Sequence, residues 1–287
     1  MKYITARLLG IAAPVVAAGL LTACSGLAGQ PASPQGGINT PGGNSTSAAN
    51  TVPNSNVTAQ NGQSAAENIN LLLKAEDYDR GIENARSDLE GSPSDEALRQ
   101  KLADAFIARA WFYKTKRLTT YTSADLFKAV EVAPNYYRSH YEIGRFHNNQ
   151  WMFSIGLFDL NKALELKPDF APAYAERAYS NYKNQKFDAA LSDVDKSIEL
   201  DPSASASYCT RSLIYVATGK LDLALEDTNK AVLLAPSDAA SYYYRGLVYE
   251  VMDKPGLAID DFNTTLDLSI DDLLRARANA ELQKLQK

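Results

Sequence analysis

The pattern of apolar and polar positions repeats along the chain. Four segments with apolar residues at helical spacing each end on a proline: Ala129–Pro134, Ala163–Pro168, Ser197–Pro202 and Ala231–Pro236. The four prolines lie 34 residues apart. A proline cannot sit inside a helix, so each closes one apolar-periodic segment and separates it from the next. Placing the segments in register defines five units, residues 103–136, 137–170, 171–204, 205–238 and 239–272.

In this register the sequence resembles the tetratricopeptide repeat, a helix A–turn–helix B unit. The first aromatic position is filled by Phe106, His140, Tyr174, Tyr208 and Tyr242. The small position of helix A is Ala110, Gly144, Ala178, Ser212 and Gly246. Helix B opens on Gly156, Ala190, Ala224 and Ala258, with Thr122 as a departure, and its later small position is Ala129, Ala163, Ser197, Ala231 and Thr265. Ile270 replaces the proline in the last unit. Small residues let two helices approach closely, and a single unit cannot bury its apolar face without neighbours. The resemblance implies an all-α solenoid wound as a right-handed superhelix. Its ends are atypical. Residues 64–102 are expected to hold a degenerate repeat and the start of an extended helix: a helical pair over 64–92, with Leu71–Leu73 in its first helix and Tyr78, Ile82, Ala85 and Leu89 in its second. An extended helix from about Ser94 to Lys114 then follows, capped by Ser94 or Asp95. Residues 273–287 are expected to form a capping helix in which Leu273, Leu274 and Leu282 face inward while Arg275, Arg277, Glu281 and Lys284 stay wet.

The start of the chain has a different character. Residues 1–23 combine Lys2 and Arg7 with an apolar run of 16 residues, Leu8 to Ala23, too short to span a bilayer as a helix. Leu21-Thr22-Ala23-Cys24 resembles the lipobox of bacterial lipoproteins. That resemblance implies a signal peptide cleaved before Cys24 and acylation of the new terminus, a palmitate-type anchor. Two or three acyl chains hold a protein firmly to a membrane. Residues 25–66 contain no charged side chain. This composition cannot repay the entropy of ordering, so 24–63 are expected to be a disordered tether of about 35–40 Å r.m.s. span.

All the remaining charge lies beyond residue 66, as 27 basic and 34 acidic groups. An acidic body argues against nucleic acid as the ligand. Two cysteines and two histidines exclude a disulfide scaffold and multi-ligand metal sites, so no cofactor and no metal are expected. His140 and His147 are read as packing residues, and Cys209 as a small apolar contact.

One charged pattern keeps the fold period. Arg109/Asp125, Arg177/Asp193, Arg211/Asp227 and Arg245/Asp261 are each 16 apart, and Ile143 breaks the series where Asp159 remains. A feature that recurs with every unit marks a structural bond, so these are expected to be ion pairs between helices. Sharing with residues 18 away, as in Asp159/Arg177, is a further expectation. No catalytic residue is assigned and no enzyme activity is expected.

In tetratricopeptide proteins the exposed residues of helix A line a concave groove that binds peptides. Carried over, the partner-binding candidates are Trp111, Tyr141, Arg145, Tyr179, Tyr182, Lys183, Tyr243 and Tyr244. Packing and binding remain open alternatives for Tyr179 and Tyr243. The Lys and Asn clamp that grips a terminal carboxylate in some members is not matched. Its places hold Ile107/Trp111, Tyr141/Arg145, Ala175/Tyr179, Cys209/Leu213 and Tyr243/Leu247. The expected role is a membrane-anchored adaptor or scaffold of the cell envelope, facing the periplasm from the outer membrane where a cell has two. Its partners would be envelope proteins or peptides. The alternative is a self-associating, homo-oligomeric structural lipoprotein.

Overall fold

The computed structural model describes residues 65–286, with side chains from residue 76 onward. Cys24 and the tether lie outside the described residues. Among the described residues there are twelve α-helices and no strand. They are α1 (Ala65–Gly91), α2 (Glu96–Thr115), α3 (Thr119–Val132), α4 (Tyr137–Asn149), α5 (Phe153–Leu166), α6 (Ala171–Lys183), α7 (Phe187–Leu200), α8 (Ser205–Ala217), α9 (Leu221–Leu234), α10 (Ala239–Val251), α11 (Pro255–Leu268) and α12 (Asp272–Leu285). The even-numbered helices from α2 to α10 are the A helices of five units and the odd ones that follow are the B helices. Consecutive A helices pack on one another, with no comparable contact between successive B helices. The A row is therefore the inner, concave side of a solenoid.

The small positions are needed for this packing. A Cβ on Gly246 would come within 2.7 Å of the Phe262 ring, a side chain buried completely in α11. The regular spacing of the first aromatic position has a second cause that packing alone does not reveal. The hydroxyls of Tyr174, Tyr208 and Tyr242 donate to the carbonyls of Pro168, Pro202 and Pro236 at 3.1, 3.2 and 3.1 Å. His140 Nε2 meets the Pro134 carbonyl at 2.8 Å in the same way. Each such bond ties the start of helix A to the inter-unit turn, where a backbone carbonyl otherwise lacks a helical partner.

The turn from A to B places one residue per unit in the left-handed region: Arg117, Trp151, Gln185, Gly219 and Asp253, with φ of 59°, 64°, 60°, 76° and 59°. Only Gly219 adopts this conformation without steric cost.

Three expectations are corrected. A single helix, α1, stands where residues 64–92 were expected to fold as a pair. Its Asp77, Tyr78 and Asp79 are helical, and no glycine or proline before Gly81 breaks the run. The helix that follows is capped by Asp95, whose carboxylate accepts from the amides of Ala97 and Leu98. The second correction concerns the last helix. There Leu274 and Leu282 are buried and Leu273 is half-buried, but Glu281 is also buried and Arg277 half-buried. Residues 277 and 281 fall one repeat after Tyr243 and Leu247, so the fold period turns them toward the inside of the solenoid rather than to water.

The Arg–Asp pairs form a ladder. Arg109 grips Asp125, Arg177 grips Asp193, Arg211 grips Asp227 and Arg245 grips Asp261, each with two nitrogens at 2.6–2.9 Å. The aspartates are the inner ends of these pairs: Asp125, Asp193, Asp227 and Asp261 are all buried, while the arginine side chains stay partly in water. Asp193 also accepts from Asn181 Nδ2 at 3.0 Å. The third expectation corrected is the sharing. Asp159, Asp193 and Asp227 accept no hydrogen bond from Arg177, Arg211 and Arg245, the arginines 18 residues on. Instead the remaining arginine nitrogen reaches back 16 residues, not 18: Arg177 to Asn161 at 2.8 Å, Arg211 to Asp195 at 2.8 Å and Arg245 to Asn229 at 3.2 Å. Arg109 bonds Asp79 of α1. The reason is helical geometry. The position two residues beyond the ladder aspartate on helix B faces the next unit, whereas the aspartate itself faces its own helix A. Each arginine thus joins its own B helix to the preceding one. Between the first and second units both members change together. Ile143 takes the arginine place and Phe127 the place of Asn161 and its equivalents. Asp159 then accepts from His147 Nδ1 at 2.8 Å, and Phe127 lies beside the imidazole, exposed by 55%.

Candidate protein-interaction site

The concave side holds two groups of side chains. The first is on α2, α4 and α6. Arg145 stacks on Trp111, with its guanidinium 4.1 Å from the ring centroid, and lies 5.6 Å from the Tyr141 ring. Lys114 Nζ is 4.2 Å from the same Trp111 ring. Arg145 pairs with Glu142 at 3.2 Å. Beneath them Asn148 Nδ2 donates to Glu176 Oε2 at 3.0 Å, and the Ser180 hydroxyl donates to Asn148 Oδ1 at 2.7 Å. Lys114 Nζ and Arg145 Nε are buried without a hydrogen-bond partner.

Burial dominates the electrostatics here. It pushes the Glu176 carboxyl up to about 7 and raises Glu142 as well. It brings the Lys114 ammonium down to about 7, aided by repulsion from Arg145.

The second group is on α6, α10 and α12. Tyr179 and Tyr182 pack with ring centroids 6.3 Å apart, and Tyr243 and Tyr244 at 5.8 Å. All four tyrosines are buried, none more than 8% exposed. Burial raises each phenol, Tyr182 to about 12. The Tyr243 and Tyr244 hydroxyls and Arg277 Nη2 are buried without a hydrogen-bond partner. Lys183 is half-buried at the rim, 5.4 Å from the Trp151 ring, and burial together with Arg277 lowers it to about 8.

The eight groove candidates therefore divide. Tyr179, Tyr182, Tyr243 and Tyr244 fill the inside of the solenoid and act in packing. Trp111, Tyr141, Arg145 and Lys183 keep part of their surface in water. Sequence reasoning missed Lys114, Glu142, Asn148 and Glu176. The signal was present, since Glu142 and Glu176, like Lys114 and Asn148, are 34 apart and flank the clamp positions. Cys209 is buried, with its thiol 4.0 Å from the Ser241 hydroxyl. A shallow cavity of about 460 Å³ on the other side is lined by Tyr208, Asp227 and Leu233 around the Arg211 pair, so it belongs to the ladder. Among the described residues no group of three or more His, Cys, Asp or Glu side chains could hold a metal ion, and no helix is long and apolar enough to cross a membrane.

Comparison with known proteins agrees with this architecture. A tetratricopeptide-repeat family model matches residues 205–238, the fourth unit. Comparison with curated proteins gives no match. Among solved structures, a thermophilic tetratricopeptide-repeat protein of Thermus thermophilus is similar at 15% identity, covering 63% of this chain and 99% of that one, with a TM-score of 0.57. A tetratricopeptide-repeat protein of Parabacteroides merdae is similar at 17% identity, covering 77% and 93%, with a TM-score of 0.53. The Cut9–Hcn1 hetero-tetramer of the APC/C matches at 14% identity over 75% of this chain and 41% of that one, with a TM-score of 0.57. These likenesses show the fold, a tetratricopeptide-type solenoid.

Proposed function

We propose that the protein is a non-enzymatic adaptor of the cell envelope, anchored through a lipid on Cys24, that holds partner proteins on the concave face of its repeat solenoid. A tetratricopeptide fold is a scaffold for protein–protein interaction, and the repeat assignment supports that part directly. The anchor, the tether of residues 24–63 and the location outside the cytoplasm, facing the periplasm in a cell with two membranes, follow from the lipobox-like Leu21–Cys24.

One observation carries the groove reading. Trp111, Arg145 and Tyr141 form a continuous stacked surface on two adjacent A helices, partly in water. Trp, Tyr and Arg are the residues that dominate binding hot spots. Lys114 adds a buried amine beside them whose hydrogen-bonding capacity a bound carbonyl or carboxylate would fill.

A photo-crosslinking residue at Tyr141, introduced in cells, tests this. One recurrent protein adduct that disappears when Arg145 or Trp111 becomes Ala is the expected result. Adducts only between copies of the chain would replace the adaptor by the self-associating structural lipoprotein. Metabolic labelling with palmitate tests the anchor: label lost in Cys24→Ser is expected, and an unlabelled wild type removes it.

A further inference from the structure

We propose that the edge formed by the A–B turns of the first two units docks against an anionic lipid surface, with Trp151, Met152, Tyr121 and Ile155 entering the interface and Lys116 and Arg117 facing the headgroups. The proposal rests on the membrane location above but not on the concave groove.

Trp151 is the first reason. It is 41% exposed, yet its backbone is held at φ 64°, in a place where the fourth unit uses Gly219. A bulky residue in the left-handed region is strained, as Arg117, Gln185 and Asp253 also are, and the indole, which meets the Phe153 ring edge-on at 6.1 Å, still leaves two-fifths of its surface in water. That exposed part is open to contact with a surface outside the chain. Tryptophan and tyrosine favour the boundary between headgroups and acyl chains, because each has an apolar body and a polar atom.

Its neighbours share that character. Met152 follows it, 38% exposed. Tyr121 and Ile155 are equivalent positions of α3 and α5, 34 residues apart, and are 59% and 50% exposed. Equivalent positions of stacked units lie side by side, so the four form one strip.

Charge selects the occupant. Residues 115–120 and 149–154, the two turns, contain Lys116 and Arg117 and no carboxylate, in a chain of net charge −5. Lys183 Nζ lies over the Trp151 ring and adds a third cation. The opposite edge, made of the B–A turns, is acidic on balance, with Asp169, Asp201, Asp238 and Asp271 against Lys167. A second copy docking by the same strip would bring Lys116 and Arg117 against themselves, which is unfavourable. An anionic bilayer matches both the apolar and the cationic parts.

The chain has two tryptophans, Trp111 and Trp151, so Trp111→Phe leaves Trp151 as the sole indole. The full chain in this background is mixed with phosphatidylglycerol/phosphatidylcholine vesicles carrying brominated acyl chains, and with pure phosphatidylcholine vesicles. The expected result is a blue shift and quenching of Trp151 on the anionic vesicles. Lys116→Glu with Arg117→Glu is expected to weaken this at least about thirtyfold. Two results overturn the proposal: a Trp151 emission unquenched on both vesicles, or a blue shift that grows with protein concentration without lipid, which would identify a second copy as the occupant. Equal quenching on neutral vesicles would overturn the role given to the cations. Vesicle flotation of wild type against Cys24→Ser reports the anchor separately. A chain that floats with Trp151 unquenched overturns the edge and leaves the anchor, and a wild type that floats no better than Cys24→Ser while Trp151 is quenched does the reverse.

Discussion

Replacing Glu176 by Gln removes a titration that the fold has displaced. Burial pushes this carboxyl from its ordinary 4.5 up to about 7. Folding therefore favours the protonated form. The stabilisation this provides is fully present below pH 4.5 and is lost as the pH rises through about 7. Each unit of displacement corresponds to about 1.4 kcal/mol, so ionised Glu176 costs the fold about 3 kcal/mol above neutrality. Gln keeps the shape and still accepts from Asn148, whose amide lies 3.0 Å from Glu176 Oε2. The variant and the wild type should then have similar stability near pH 4.5. Between pH 5 and pH 8 the variant should gain about 2–3 kcal/mol relative to wild type. For a body of this size that is a difference in Tm of about 5–10 °C. Thermal unfolding followed by far-ultraviolet circular dichroism at half-unit pH steps measures it. Parallel Tm–pH curves for the two proteins would refute the reasoning, and would mean that Glu176 stays ionised through pairing with Lys114 and Arg145.

Other perturbations bear on the ladder, the tie and the turns. Arg211→Ala should destabilise by about 2–3 kcal/mol in urea unfolding, because it leaves Asp227 buried without its bidentate partner; a loss under about 0.5 kcal/mol would reduce the ladder to decoration. Tyr208→Phe should cost about 1 kcal/mol by the same assay through loss of the bond to the Pro202 carbonyl, and no loss would show that water replaces it. Gly246→Ala should cost at least about 2 kcal/mol, since the new methyl meets the rigid Phe262 ring; a neutral result would mean that α10 and α11 can separate freely. Trp151→Gly should raise stability by about 1 kcal/mol while abolishing lipid docking, whereas a destabilised variant would show that the indole is there for packing.

The repeat, its register and the alignment of Arg with Asp were legible because each recurs at the fold period, and recurrence exposes a structural cause without coordinates. The pairing of Asp125, Asp193, Asp227 and Asp261 with their own arginines could be read this way, but not the second partner, because the place two residues beyond the helix B aspartate holds Phe127, Asn161, Asp195 and Asn229 and keeps no single residue type. Tyr174, Tyr208 and Tyr242 were legible only as a recurring aromatic position, because an aromatic ring and a phenol look alike in a repeat pattern. Only the position of the proline carbonyl six residues earlier shows why a hydroxyl or an imidazole is used. The groove was partly legible. Exposure in a helical wheel does not foresee how closely A helices of different units approach on the inside of a tight superhelix. Tyr182 and Tyr244 were thus read as surface although they fill the interior, and for Tyr179 and Tyr243 packing is the alternative that holds. Glu281 and Arg277 escaped for the converse reason. A terminal helix was expected to turn every charge to water, but the fold period continues through it.

The altered second unit has a mechanical consequence. Everywhere else an arginine crosses from one B helix to the preceding structure, so neighbouring units resist sliding and twisting. Between α3 and α5 this cross-brace is missing, with Ile143 and Phe127 in its place. In a one-dimensional array, failure begins at the weakest coupling between neighbours. A load applied along the solenoid would therefore part the chain first at this joint. The four later units would remain folded as one block, as a fuse protects the circuit behind it.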